Sequence, residues 1–294
     1  MAEVRRATRD DAARVYDLIR SSTLRNAALP SEARARLFEP VWGGEEDYYG
    51  YVLEAEGEVV GFIGMLFTRR EIAGAMRKFC ELHSWYVKDE FRSESLMLLL
   101  PALSIKGMTL LNYTPSPEVY EISRKFGFAE LEQEVLRILP VPTPGALRAD
   151  LRVETDEAAI GSALTGSQLR IFEDHRGLDC RHFLVRRRGR SGHLYAIVKK
   201  MRVTPRQPVG RILYFSDEDR LVDALGWLRL YWSLALGVQC LIVDRAQLRV
   251  GARLPFAPTV AREVPSLYRS RELTADDLRV PLYSEPLLVG YALH

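Results

Sequence analysis

The sequence predicts an α/β (α+β) chain in two domains, and three observations predict it. The chain has 294 residues, and one domain takes roughly 100–200. Each half reads in the same order: helices, hairpin, strand, helix, strand. Between the halves, "LPVPTPGALRAD" places three prolines and a glycine in one short stretch, the composition of a linker. The expected domains are therefore 1–140 and 151–294, with the break at Pro140 to Asp150.

In the first half, Val4 to Ala7 is a strand. Thr8 is placed to cap a helix whose first turn holds Asp10 and Asp11, acids that suit the helix dipole. Val15, Leu18 and Ile19 follow at helical spacing. A weaker helix covers Ser31 to Phe38. Two apolar runs around Glu56-Gly57 read as a hairpin. "AMRKFCELHSWYV" is a further strand. Ser93 to Ile105 is a helix, with Leu96, Leu99, Leu100 and Leu103 on one face and Pro101 inside it. "GMTLLNYT" is a strand. "SPEVYEISRKFGF" is a short helix capped by Ser116, with Pro117 at its first position and Gly127 at its end. Phe128 to Leu139 returns as strand.

In the second half, helices cover Glu157 to Leu164 and Ser167 to His175. "CRHFLVRRRG" and "HLYAIVKKMRV" are strands joined by a turn at Arg190 to Gly192. "VGRILYFSD" is a strand, Asp217 to Leu236 a helix and "VQCLIVD" a strand.

Composition narrows the function. Arg and Lys (41) nearly balance Asp and Glu (39), for a net charge of +2, which argues against nucleic acid as a bulk electrostatic partner. The N-terminus has no apolar run of signal-peptide length. No run reaches the ~18 apolar residues of a membrane span, and Arg229 breaks the apolar stretch Leu225 to Leu236. Cys80, Cys180 and Cys240 form no CxxC pair and read as core residues of a cytoplasmic protein. His175, His182 and His193 are too scattered for a metal site. Arg186 to Arg190 reads as a solvated hairpin tip, and Trp227, Tyr231 and Trp232 as core or interface.

Three blocks resemble the GNAT N-acetyltransferase superfamily, which uses acyl-coenzyme A. "VRRATRDDAARVYDLI" looks like the family's strand-then-helix opening. "WYVKDEFRSESLMLL" looks like its acyl-CoA motif, a strand ending in Val, a turn, and Q/R-x-x-G-x-G/A leading into a helix. "NYTPSPEVYEISRKFGF" looks like its closing block. The resemblance covers Val4 to Leu139. In the second half, "RILYFSD" and "EDRLVDALGWLRLYW" occupy matching places with no phosphate loop between them, so the whole resembles tandem-GNAT proteins. "SLYRS…LTADDLRVPLYSE" is similar to a tail of acyltransferases in polysaccharide gene clusters. The implied architecture is two GNAT-like domains, each a mixed, mostly antiparallel sheet flanked by helices.

The resemblance also implies a site. Aligned with the motif, Arg92 is its first residue, and Ser95 and Met97 replace its two glycines. Backbone N–H groups at such a helix start, with Arg92, Ser93, Glu94 and Ser95, are expected to meet the pyrophosphate. Glu94 is unwelcome there if it faces inward. A backbone N–H near Tyr86 or Val87 is expected to polarise the thioester carbonyl, and Asn112 marks the closing strand beside the pantetheine arm. The other reading keeps "FRSES" as a turn for the fold alone.

Glu81 and His83 lie two apart on one strand and so face one side; as a pair they can deprotonate an amine, or they make ordinary network contacts. The family's thiol-protonating tyrosine falls on Ser123, and Tyr120, one helical turn earlier, is the substitute unless it is a packing residue. No metal is expected.

The function expected is acyl-CoA-dependent N-acyl transfer, acetyl-CoA first, to a small amine acceptor, with an amino sugar indicated by the tail. The second domain shapes the acceptor pocket or docks a partner. No nucleic acid or membrane partner is expected, and a homodimer is left open. The alternative is a catalytically silent ligand-binding or scaffolding protein. Transfer from an aminoacyl-tRNA would need a basic groove, which the net charge disfavours.

Overall fold

A computed structural model describes residues 2–24, 26–143, 146, 150–204 and 206–290. The chain forms two compact units. One takes the chain up to Leu131, Val264–Asp277 and a last piece starting at Tyr283; the other takes Glu132–Glu263 and Leu278–Leu282. The units therefore do not divide the chain at one linker, as a cut at Pro140 to Asp150 supposes. Within that stretch, residues 144, 145 and 147–149 lie outside the described residues.

The first unit begins with β1 (Glu3–Arg6), α1 (Ala12–Arg20) and α2 (Ser31–Ala35). The Thr8 N–H donates to the Asp11 carboxylate at 2.9 Å, and Val15, Leu18 and Ile19 are the buried face of α1. Then come β2 (Gly50–Ala55), β3 (Glu58–Ile72), β4 (Ala75–Val87), α3 (Ser95–Leu103), β5 (Thr109–Asn112) and α4 (Pro117–Lys125). Glu56 and Gly57 both have positive φ, the two-residue turn that matches strand twist. The β3–β4 hairpin closes through Ala73 and Gly74 in the same way.

The chain continues through β6 (Ala129–Ile138), β7 (Leu151–Glu154), α5 (Glu157–Ala163), α6 (Gly166–His175), β8 (Arg181–Arg187), β9 (His193–Thr204), β10 (Gln207–Phe215), α7 (Glu218–Leu236) and β11 (Cys240–Asp244). The tail supplies β12 (Thr259–Arg269) and α8 (Glu285–Leu288). The sequence reading missed β12. Pro265 stands inside it, and a proline argues against a strand by local rules.

In the first unit the strands run β1-β2-β3-β4-β5-β12. Neighbours are antiparallel except β4 and β5, which are parallel across α3. In the second unit the order is β6-β11-β10-β9-β8-β7, with β10 and β11 parallel across α7. Each sheet is mixed and mostly antiparallel, as expected.

Leu53, Ile63, Met65, Leu98, Leu99 and Leu267 centre the first core; Ile212, Leu228, Trp232 and Leu241 centre the second. The face of α3 differs from expectation. Leu98, Leu99 and Ala102 are buried, while Leu96 and Leu100 are exposed. The segment is apolar on every side, so periodicity selects no face. The turn that feeds the helix sets its phase instead.

Candidate functional site

The site begins where two parallel strands part. β4 and β5 pair only over Phe79↔Thr109, Cys80↔Leu110 and Glu81↔Leu111. Beyond Glu81, β4 continues to Val87 with β3 on one edge and, among the described residues, no strand on the other. Its register against β3 shifts between Phe62 and Gly64, so Ser84 and Trp85 oppose Ile63. Ser84 has φ +49°, a bulge conformation that increases local twist. Lys88 N–H donates to Val60 O at 2.8 Å. Alternation along the strand then turns the Val87 N–H to the unpaired edge.

Glu81 stands at the fork. It is 2% exposed, and the Glu285 backbone N–H donates to its Oε2 at 2.6 Å. Burial first, then the nearby Glu285 charge, push the Glu81 carboxyl well above the usual carboxylate range; Arg70 acts against them. Burial also raises Glu285, against the opposing pull of Asn26 and Arg34. The Asn26 Nδ2 donates to Glu285 Oε1 at 2.8 Å and to Ser84 Oγ at 3.1 Å. Arg34 is 2% exposed, and its Nη2 donates to the Asn26 carbonyl at 2.6 Å.

His83 shares the face of Glu81, as the spacing predicts. Its ring covers Gly64: a Cβ on Gly64 would lie 2.1 Å from His83 Cε1. Nδ1 is 3.2 Å from Ser84 Oγ. Burial, and secondarily the Arg34 charge, lower the imidazole pKa to about 3. His83 is therefore neutral in ordinary buffers, and the carboxyl pair is the stronger base.

The tail that delivers Glu285 is clamped. Arg70 donates to the Tyr283 carbonyl at 2.8 Å and to Tyr113 Oη at 3.2 Å. Its guanidinium lies over the Phe79 and Tyr283 rings, at 4.5 and 5.2 Å from their centroids. Asn26, Arg34, Glu81, His83 and Glu285 all belong to the first unit. Sequence reasoning singled out Glu81 and His83 and did not single out the other three members of this cluster. A short helix with a basic residue, and a serine–acid–proline helix start, carry no local mark of a site.

The expected phosphate loop has another form. Residues Asp89–Glu94 are a 3-10 helix that runs directly into α3. Its i→i−3 bonds occupy backbone N–H groups that an open loop would present; Phe91 N donates to Lys88 O at 2.9 Å. The free helix start moves back to Asp89 and Glu90, both exposed acids. Arg92 is exposed and 3.4 Å from Asp89, and the Ser93 hydroxyl donates to Glu94 at 2.8 Å. Ser95 opens α3 in helical conformation. The splayed strands fit a pantetheine arm. The acidic, closed turn does not fit a pyrophosphate in the expected way.

Tyr86 is half-buried at the end of β4 and Val87 is buried. The Asn112 Oδ1 accepts from Thr114 N at 3.2 Å, which fixes the turn after β5. The Tyr120 hydroxyl donates to the Glu130 carboxylate, a bond that raises the phenol pKa; no contact joins it to the Glu81 cluster among the described residues. Ser123 is buried. Elsewhere, Arg187 is paired with Asp150 and Asp223, and Trp232 is fully buried. Among the described residues there is no metal-binding cluster and no helix long and apolar enough to cross a membrane.

No family model and no curated protein matches the sequence. Solved structures do match the fold. A GCN5-related N-acetyltransferase from Anabaena variabilis superposes with TM-score 0.62 at 12% identity, over 92% of this chain and 72% of that one. A protein of unknown function from Enterococcus faecalis, described as a probable N-acyltransferase, gives 0.63 at 12% identity, over 94% and 74%. A GCN5-related N-acetyltransferase from Sphaerobacter thermophilus gives 0.52 at 16%, over 91% and 95%. The chain has the GNAT fold.

Proposed function

We propose that the chain is an acyltransferase that moves an acyl group from acyl-coenzyme A to a small amine, with an amino sugar as one candidate acceptor. The observation that carries this reading is the parting of β4 from β5 at Glu81, with a buried carboxyl pair at the fork. An acyl-CoA bound there supplies the acyl group as an activated thioester.

The chain's own groups account for the rest. The unpaired β4 edge, ending at Val87, offers backbone hydrogen bonds to an extended amide chain. The Val87 N–H, turned to that edge, is the donor we assign to a carbonyl oxygen that gains charge, and such donors commonly contribute 10²–10³ in rate. An amine reaches the site as an ammonium, and the Glu81–Glu285 pair takes its proton onto a carboxylate oxygen. A raised carboxyl pKa narrows the gap to the amine and makes that transfer easier. His83, neutral and flat on Gly64, walls the fork.

The acidic turn at Asp89–Glu94 favours a second reading, a GNAT-fold protein that binds an amine without transferring an acyl group. Thiol release from acetyl-CoA and longer acyl-CoAs, over a panel of small amines, separates the two. Amine-dependent release lost in Glu81→Gln supports the transferase. No release with any pair, while an amine still binds, sinks it.

A further inference from the structure

The second unit carries a cluster of positive groups that acyl transfer does not use. Its strand register places Arg152 of β7 opposite Arg186 of β8, and Arg186 opposite His193 of β9. Residues paired in this way share one face of the sheet and stand one strand apart. β7 is the outermost strand, so the row begins at the rim of the sheet. Like charges directly opposite each other on a sheet are destabilising, and a row of them calls for a counter-charge.

A further cation reaches the same place from another element. Arg220, in the first turn of α7, donates from Nη1 to the Ser191 carbonyl at 3.1 Å, and a Cβ on Gly192 would lie 2.7 Å from its Nη2. Ser191 and Gly192 lead directly into His193. Burial first, then the Arg186 and Arg220 charges, hold the His193 pKa below its ordinary value.

The acids nearby are committed elsewhere. Asp217 accepts from the Arg220 backbone N–H and from its Nε, both at 3.0 Å. Glu154 shares the face of Arg152 and accepts from the Thr155 and Asp156 N–H groups at 2.8 Å each. Asp150 and Asp223 pair with Arg187, which alternation puts on the opposite face. Arg186 is exposed and forms no ion pair among the described residues. His193 Nε2 lies 2.9 Å from Gln168 Oε1, and its Nδ1 has no hydrogen-bond partner among the described residues.

Two guanidiniums and an imidazole grouped at a solvent-facing rim suit a compact oxyanion with more than one negative charge. A guanidinium presents its N–H groups as a planar fork that fits phosphate. An imidazole beside an anion regains its proton and becomes a donor on both nitrogens. A lone carboxylate would leave part of the positive charge unmatched.

We propose that Arg186, His193 and Arg220 bind the phosphate group of a small phosphate monoester, with Arg152 adding positive field from the neighbouring strand. Arg152 and Arg186 are exposed and His193 and Arg220 half-buried, so the ligand arrives from solvent. The site is independent of acyl transfer, and the failure of either reading leaves the other intact.

The test is NMR of the histidine rings in the full chain, with His193 assigned from the signals lost in His193→Gln. Inorganic phosphate, glycerol phosphate or acetate replaces sodium chloride stepwise at constant ionic strength. Both phosphates should move the His193 signals to saturation and raise its pKa by about 1, and acetate should not. Arg186→Gln, at an exposed position where the fold does not depend on the side chain, should weaken phosphate binding about tenfold. Equal shifts with acetate would reduce the cluster to ordinary ionic screening and overturn the proposal. So would a failure of either phosphate to saturate, or unchanged phosphate affinity in a folded Arg186→Gln.

Discussion

The Glu285 backbone N–H donates to the Glu81 carboxylate at 2.6 Å, across 204 residues of sequence. One bond thus ties the C-terminal tail to the strand fork and completes a buried carboxyl pair. Glutamine at either position keeps an oxygen acceptor for these bonds but cannot take a proton. Glu81→Gln and Glu285→Gln should each lower kcat/KM for amine acylation by about 10²-fold, with melting temperatures close to native. The double variant should lose little more, since the two act as one unit. Multiplicative losses, measured by thiol release, would show that they do not.

Gly64 has no side chain because the His83 ring occupies that space. Gly64→Ala should push the imidazole aside and cost about 2 kcal/mol of stability, a usual penalty for overpacking. Urea denaturation reads this directly. An unchanged midpoint would mean that the ring is not held against the strand.

The two kinds of buried acid and base oppose each other in pH. His83 has a lowered folded pKa, about 3 against 6.5, so its stabilisation is complete above 6.5 and is lost as pH falls. Glu81 and Glu285 are raised, so their stabilisation is complete below about 4.5 and is lost as pH rises. Arg34, Arg70, Asn26 and Ser84 are the other polar and charged groups around them. His83→Gln should therefore gain stability on native as pH falls, by about 2 kcal/mol at pH 5 relative to pH 7. Parallel stability curves for the two proteins would place His83 in water.

The acids Asp89, Glu90 and Glu94 surround the single Arg92 in the turn before α3. Replacing the three by Asn and Gln should strengthen acyl-CoA binding about tenfold at low salt, ~1.4 kcal/mol, and the gain should shrink in high salt. Unchanged affinity by calorimetry would mean that the pyrophosphate docks away from this turn.

The sequence by itself determined most of the elements. Thr8 before Asp11, the Glu56-Gly57 turn and Ser116-Pro117 before α4 act within a few residues, so composition and spacing expose them. The matching order of the two halves was legible for the same reason, and so was the shared face of Glu81 and His83, because a strand alternates every residue. Tertiary structure alone decided the rest. The apolar α3 took its buried face from the turn before it, and β12 formed in spite of Pro265. Asn26, Arg34 and Glu285 meet Glu81 through contacts that no local pattern encodes. Those contacts exist because the tail comes back to the first unit, and burial there raises the proton affinity of both carboxyls.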